Sequence, residues 1–98
     1  MTVGVKFDSE KPMMSLLPPF ATLAVGRVLT MGAKKYSAGN WRHVENGQQR
    51  YADAALRHFY AYMSGEERDP ESGENHMAHV ICCAMFILDA AESGNPLK

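Results

Sequence analysis

Residues 57–79, RHFYAYMSGEERDPESGENHMAH, decide how this chain is read. Three of the chain's four histidines, His58, His76 and His79, lie here, and Glu66, Glu67, Asp69, Glu71 and Glu74 fall between them. Apolar residues at helical spacing precede Gly65 and follow Glu74, whereas Gly65, Pro70 and Gly73 interrupt any regular element. The stretch is therefore predicted to hold the end of one helix, an acidic connector over residues 66–74, and the start of another helix. A connector of roughly ten residues suits antiparallel neighbours. His58, near the end of the first helix, then approaches His79, near the start of the second. His76 and His79, three apart, project from one helical face one turn apart.

Working outward, residues 49–64 predict the second of three helices, with Arg50, Asp53, Arg57 and Ser64 on a polar stripe. Tyr51, Ala54, Ala55, His58 and Tyr62 form its apolar stripe, which turns His58 inward. The third helix, residues 75–91, is apolar nearly all round between Met77 and Leu88, as befits a central position or a subunit interface. Glu74 stands where an acid favours its N-terminus. Residues 20–35 predict the first helix: Val25, Val28, Leu29, Gly32 and Tyr36 follow helical spacing, and Gly26 and Gly32 suit a close backbone approach. Residues 37–47 are turn-rich around the sole tryptophan, Trp41. Pro18 and Pro19 bar a helix before them and favour helix entry after them, so residues 1–19 are read as an ordered arm. The expected fold is all-α: a single domain over residues 1–98, three main helices in a small bundle, and an arm laid across it or exchanged with a partner subunit.

Ninety-eight residues bury a modest core, and self-association into a homo-oligomer is expected. Ten Lys and Arg against eleven Asp and Glu exclude the basic footprint of a duplex nucleic-acid or anionic-membrane binder. No basic-then-apolar leader is seen, and the apolar run 77–88 is too short to span a bilayer, so a cytoplasmic location is expected. Cys82 and Cys83 are adjacent in an apolar run and read as small buried hydrophobes in a reducing compartment.

Two kinds of metal site fit the acidic and histidine cluster. Imidazoles from His58, His76 and His79 favour zinc or another transition metal, whereas Glu66, Asp69, Glu71 and Glu74 suit magnesium or manganese. The opposing reading is a solvated acidic loop with histidines that satisfy buried hydrogen bonds or cap a helix. Lys34, Lys35, Arg42, Arg50 and Arg57 lie in separate segments, yet a small bundle can bring several to one mouth, where guanidinium and ammonium groups match a triphosphate. Tyr36 and Trp41 flank a turn beside these cations and offer faces for a nucleobase, although core packing is the commoner use of such a tryptophan. No Gly-x-Ser-x-Gly elbow or Gly-rich phosphate loop is present, which disfavours covalent catalysis and leaves a metal-activated water with a carboxylate or histidine base.

KFDSEKP, SLLPP, VLTMGAKKYSAGNW, RYADAALRH, SGEERDPESG and HMAH, in this order, resemble the phage and bacterial family of dATP/dGTP diphosphohydrolases, in its N-terminal domain. The resemblance covers nearly the whole chain; the GAKKY-to-NW segment and the succession RH, GE, D-x-ESG, H-x-x-H are its most specific parts. Such proteins are similar to all-helical nucleoside triphosphate pyrophosphohydrolases, which use magnesium or manganese to release pyrophosphate. The resemblance implies a purine deoxynucleotide substrate in a phage-infected bacterial cell. It implicates Lys34, Lys35, Asn40, Trp41, Arg57, His58, Glu66, Asp69, His76 and His79. The chain departs from the broader pattern: paired Glu-x-x-Glu and Glu-x-x-Asp acids are missing, helix two offers only Asp53, and Ser15 stands where an acid is expected before LLPP.

The first functional expectation is a metal-dependent purine nucleoside triphosphate diphosphohydrolase. In it His58, Glu66 and Asp69 are catalytic and Lys34, Lys35, Tyr36, Asn40, Trp41, Arg42, Arg50 and Arg57 hold the nucleotide. Glu66, Asp69, Glu74, His76 and His79 are its metal candidates, for magnesium or manganese, or zinc if the histidines ligate. The alternative is a phage protein that sequesters a nucleotide or a cyclic-nucleotide defence signal without hydrolysing it, and the third is a helical assembly module with structural histidines.

Overall fold

The computed structural model describes residues 3–98; Met1 and Thr2 of the expected arm lie outside the described residues. Three helices carry the fold: α1, Pro19–Lys35; α2, Gly47–Met63; and α3, His76–Glu92. Single 3-10 turns occur at Met14–Leu16 and Asn40–His43. The all-α architecture is as expected. Among the described residues there is no strand, only an isolated antiparallel bridge between Arg68 and Asn75.

Each helix begins and ends for a local reason. Pro19 opens α1, where its missing N–H costs nothing and its fixed φ is already helical. Lys34 and Lys35 close it beside the negative end of the dipole. The second helix starts two residues earlier than its periodicity suggests, because Asn46 turns in the left-handed region (φ 59°) and Gly47 is buried against Leu97, 3.6 Å from where a Cβ would stand. Gly65 (φ 105°) reverses the chain after α2, a conformation that favours glycine. At α3 the N-cap is Asn75, whose side chain accepts the Met77 N–H at 2.8 Å.

The third helix is central, packed against both α1 and α2 and most extensively against α2. It supplies most of the buried residues, His76, Ala78, Cys82, Cys83 and Ala90, to which α1 adds Val25. Such small apolar residues let the helices approach closely. Gly26 and Gly32 do not serve that end, since a Cβ at either would meet nothing within 4 Å. The loop between α1 and α2 is pinned to α3 by Trp41, whose ring stacks on Phe86 (centroids 4.8 Å apart, 12° between planes), and by Arg42, whose Nη2 donates to Asp89 at 2.6 Å. Tyr51 of α2 meets the same Phe86 edge-on at 5.0 Å.

The arm leaves the bundle instead of folding back on it. Phe7 and Phe20 are 88% and 86% exposed, and Val3, Val5, Met13, Met14, Leu16 and Leu17 are also open to solvent. The molecule extends 58 Å in its longest dimension, with a radius of gyration of 16.8 Å against about 13 Å for a compact chain of this length. Further apolar side chains stand exposed on α2 (Leu56, Phe59, Tyr60, Met63) and α3 (Ile81, Met85, Leu88). No helix is long and apolar enough to cross a membrane among the described residues.

Candidate functional site

The connector between α2 and α3 is a closed loop whose geometry follows from D-P-E-S-G at positions 69–73. The Asp69 carboxylate accepts the Ser72 N–H at 2.9 Å, the Gly73 N–H returns to the Asp69 carbonyl at 2.8 Å, and Gly73 takes φ 76° to complete the turn. Flanking backbone bonds, Asp69 N to Glu74 O at 2.8 Å and His76 N to Glu67 O at 2.9 Å, fasten the loop to the start of α3. Asp69 is thereby held over the end of α2, where His58 stands.

Three histidines meet at this point. The rings of His58 and His79 lie parallel with centroids 4.4 Å apart, and His58 Nδ1 stands 2.8 Å from His76 Nδ1. On its other side His76 Nε2 is 2.7 Å from Glu66 Oε1. A half-exposed glutamate is acceptor-only when ionised, so His76 Nε2 carries the hydrogen and donates. With its hydrogen on Nε2, a singly protonated His76 ring has its lone pair on Nδ1, the atom that faces His58 Nδ1. His79 Nε2 is 2.6 Å from Ser72 Oγ and 3.8 Å from Asp69 Oδ2. Ser72 Oγ already accepts the Glu74 N–H at 3.2 Å, leaving its own hydrogen for His79. Asp69 and Ser72 both sit on the Nε2 side of His79, which is not the arrangement of a Ser-His-Asp triad.

One face of this cluster opens on a groove of about 1170 Å³ between α1, the Trp41 loop and the α2–α3 pair. His58, Asp69, Ser72 and His79 line one part of it, and Lys35, Tyr36, Asn40, Trp41, Arg50 and Arg57 also line it. His58, Asp69 and His76 each offer a ligating atom, all within 4.8 Å of one another. The profile of the family described as "dATP/dGTP diphosphohydrolase, N-terminal" matches residues 2–98 of this chain.

The chain belongs to the dATP/dGTP diphosphohydrolase N-terminal family.

A protein of Salmonella phage PMBT28 named dATP/dGTP diphosphohydrolase is 38% identical over 85 residues, 87% of this chain. The matched part is 29% of that phage protein's length, so the chain spans less than a third of the relative. No solved structure matches the chain.

In this family member the residues singled out from the sequence fall into two groups. Those lining the groove are Lys35, Tyr36, Asn40, Trp41, Arg50, Arg57, His58, Asp69 and His79. Lys34 and Arg42 do not line it; Lys34 is exposed at the end of α1 and Arg42 is engaged with Asp89. Glu74 is taken by Arg27 of α1 in a two-pronged pair at 2.8 and 3.0 Å and is outside the cluster of converging ligand atoms. Glu66 also lies outside that cluster and touches His76 instead. His76 is 3% exposed and lies beneath the groove rather than in its lining. Trp41 has Phe86 on its ring at 4.8 Å and the Arg42 guanidinium over it at 4.4 Å, whereas Tyr36, exposed at the rim, has Lys35 at 5.3 Å. Ser72 orients both Asp69 and His79 and joins the candidate residues from the structure; its one signal in the sequence is Asp-x-x-Ser ahead of a glycine.

Local electrostatics favour neutral His58 and His79 and an ionised Asp69. Burial, followed by the neighbouring His79, pushes His58 below the ordinary imidazole range. Burial also lowers His79, against the opposing pull of Asp69. For Asp69 burial works upward, but the Ser72 N–H and the nearby His79 and His58 together hold the carboxyl below its usual value. Lys35 is raised by its hydrogen bond with Glu71 at 2.9 Å, an exposed pair at the groove rim. Arg57 has no ion-pair partner among the described residues, and Asp53 accepts from Gln49 at 3.0 Å instead. The thiols stay out of the chemistry: burial raises Cys82 to about 12 and also raises Cys83.

Proposed function

We propose that this chain acts as a divalent-cation-dependent diphosphohydrolase domain for purine deoxynucleoside triphosphates, releasing the monophosphate and pyrophosphate. The observation that carries the reading is the convergence of His58, Asp69 and His76 at the edge of a groove with ample room for a nucleotide, which also carries Arg57, Arg50 and Lys35. The family and the phage relative's name supply the substrate class.

His58, Asp69 and His76 would hold the ion, and their two imidazoles and one carboxylate suit such a group. When bound, it supplies Lewis acidity toward phosphate oxygens and toward water. The protein's own contribution is positioning and charge. Arg57, without an acidic partner, is free to fork onto phosphate oxygens, and Arg50 stands one helical register away at i−7 on the same helix. Lys35 offers a further cation once phosphate displaces the exposed Glu71. His79, kept neutral by burial, would take a proton at Nε2 by way of the Ser72 hydroxyl that donates to that atom, beside Asp69. The exposed apolar surfaces of the arm, α2 and α3 support a self-associated form.

The test is product analysis. Purified protein is incubated with dATP or dGTP in the presence of manganese, magnesium or a chelator, and nucleotides are separated by chromatography. Metal-dependent dAMP or dGMP together with pyrophosphate is the expected result. Triphosphate recovered intact from a protein complex would sink the hydrolase and establish a sequestering protein, a reading favoured by the lack of paired Glu-x-x-Glu acids on α2.

A further inference from the structure

We infer that His58, Asp69 and His76 form a centre for a transition-metal ion rather than magnesium, with Glu66 as the positioning residue that aims His76 at it. The inference rests on the divalent-ion reading of the site and assigns the ion's chemical class and a residue outside its coordination shell.

The donor set argues for the class. Magnesium takes oxygen ligands in near-ideal octahedra and keeps its waters. Here two of the three converging residues present imidazole nitrogen, one of them on the buried His76. Such nitrogens suit zinc, cobalt or another transition metal better than magnesium, with manganese the weakest binder of that series, and the single carboxylate of Asp69 completes a three-ligand set. The Nδ1 atoms of His58 and His76 face one another at 2.8 Å. Two nitrogens bound to one tetrahedral ion at ordinary bond lengths lie about 3.3 Å apart, so a side-chain adjustment of roughly half an ångström admits it. His58 and Asp69 also line the groove, which leaves coordination positions open toward a ligand.

The second argument is the far side of His76. A metal-ligating histidine usually donates its other N–H to a carboxylate or carbonyl, which fixes the tautomer and the ring orientation. Glu66 does this at 2.7 Å, reaching from the turn after α2 to the first residue of α3. That bond places the hydrogen on Nε2 and leaves Nδ1 as the donor atom facing His58 and Asp69. His79 has a different role: its ring is stacked on His58 and its Nε2 is held by Ser72, and it is outside the converging set. Glu74, paired with Arg27, is outside it too.

The experiment uses the full chain and metal ions alone, without nucleotide. Manganese, cobalt and magnesium are titrated calorimetrically, and the manganese complex is examined by pulsed electron paramagnetic resonance for couplings to imidazole nitrogen. The expected result is one manganese per chain with nitrogen couplings, lost in Asp69→Ala and His76→Ala, and magnesium bound at least tenfold more weakly. Glu66→Ala is expected to weaken manganese binding by about 10- to 100-fold, and Glu66→Gln, which restores an acceptor, to recover part of it. Chelated Glu66→Ala should retain the parent's circular dichroism, which separates loss of positioning from loss of fold. Equal affinity for magnesium, or manganese without nitrogen coupling, would overturn the centre. Unchanged affinity in Glu66→Ala would overturn the positioning role. A centre that passes these tests in a protein that leaves dATP and dGTP intact refutes only the hydrolase, whereas hydrolysis without nitrogen coupling refutes only the centre.

Discussion

The two ends of this molecule treat their side chains in opposite ways. Where α2 meets α3, Glu66, His76, His58, Asp69, Ser72 and His79 are joined at hydrogen-bond distances or ring contact, and the backbone of the connector closes on itself. Along the arm and the start of α1, apolar residues such as Phe7, Leu16 and Phe20 stand in water without partners. Polar groups tied into a partly buried network are costly to arrange and rigid once satisfied. Unpaired apolar surface is a demand for a partner. On that contrast rests our proposal of chemistry at the α2–α3 end and association at the arm.

The sharpest way to break that division is Asp69→Ala. The loop bonds that involve only backbone, Gly73 N to Asp69 O and His76 N to Glu67 O, survive the change, so helix content should be retained. Turnover of dATP or dGTP should nevertheless fall on the order of 10³-fold, the scale for loss of a charge-stabilising group. Steady-state kinetics alongside circular dichroism checks both halves, and retained turnover would move the chemistry elsewhere.

Trp41→Ala probes the boundary between the two regimes, since Trp41 lines the groove yet is engaged by Phe86 and Arg42. The substitution should cost about 2 kcal/mol, less than a fully buried tryptophan because the ring is half-exposed. That corresponds to a melting temperature lower by roughly 10 °C. Trp41→Phe, which keeps a stacking ring, should lose much less. A melt that does not change in Trp41→Ala would leave the ring free for a nucleobase.

The histidine end should also betray itself by pH. In chelated protein the folded-state values of His58 and His79 lie below the unfolded value of about 6.5. Between the folded and unfolded values the unfolded chain binds more protons, so stability rises with pH. It is therefore fully present above about pH 6.5 and is lost as pH falls through the depressed values, while Asp69 acts in the same direction at more acid pH. Denaturant melts at pH 7.5 and 5.5 should show the lower midpoint at pH 5.5, and a His58→Asn, His79→Asn double variant should flatten the difference. Deleting residues 1–12 should have the smallest effect on a dilute monomer, within about 0.5 kcal/mol, because residues 3–12 are all exposed. Equilibrium sedimentation of the same variant tests whether the arm holds copies together.

Helix positions were legible because the signals that set them are local. Pro18-Pro19, Gly65 and the apolar spacing of α2 and α3 placed the boundaries within two residues, and the connector length put His58 beside His79 as found. The acids were less legible because their partners come from far along the chain. Arg27, 47 residues from Glu74, occupies that carboxylate, and nothing at either position signals the pairing. For Trp41 the composition could not reveal that Phe86 and Arg42 engage the indole ring. Gly26 and Gly32 suggested a close helix approach, but closeness is supplied by alanines and cysteines of α3.

Crystals of the chain grown with manganese would test the central claim most directly, through an anomalous difference map. The account predicts a peak within about 2.0–2.3 Å of an imidazole nitrogen of His58, of His76 Nδ1 and of an Asp69 carboxylate oxygen, with Glu66 still on His76 Nε2. A peak instead at Glu71 or Glu74, or no peak at the histidines, would contradict it.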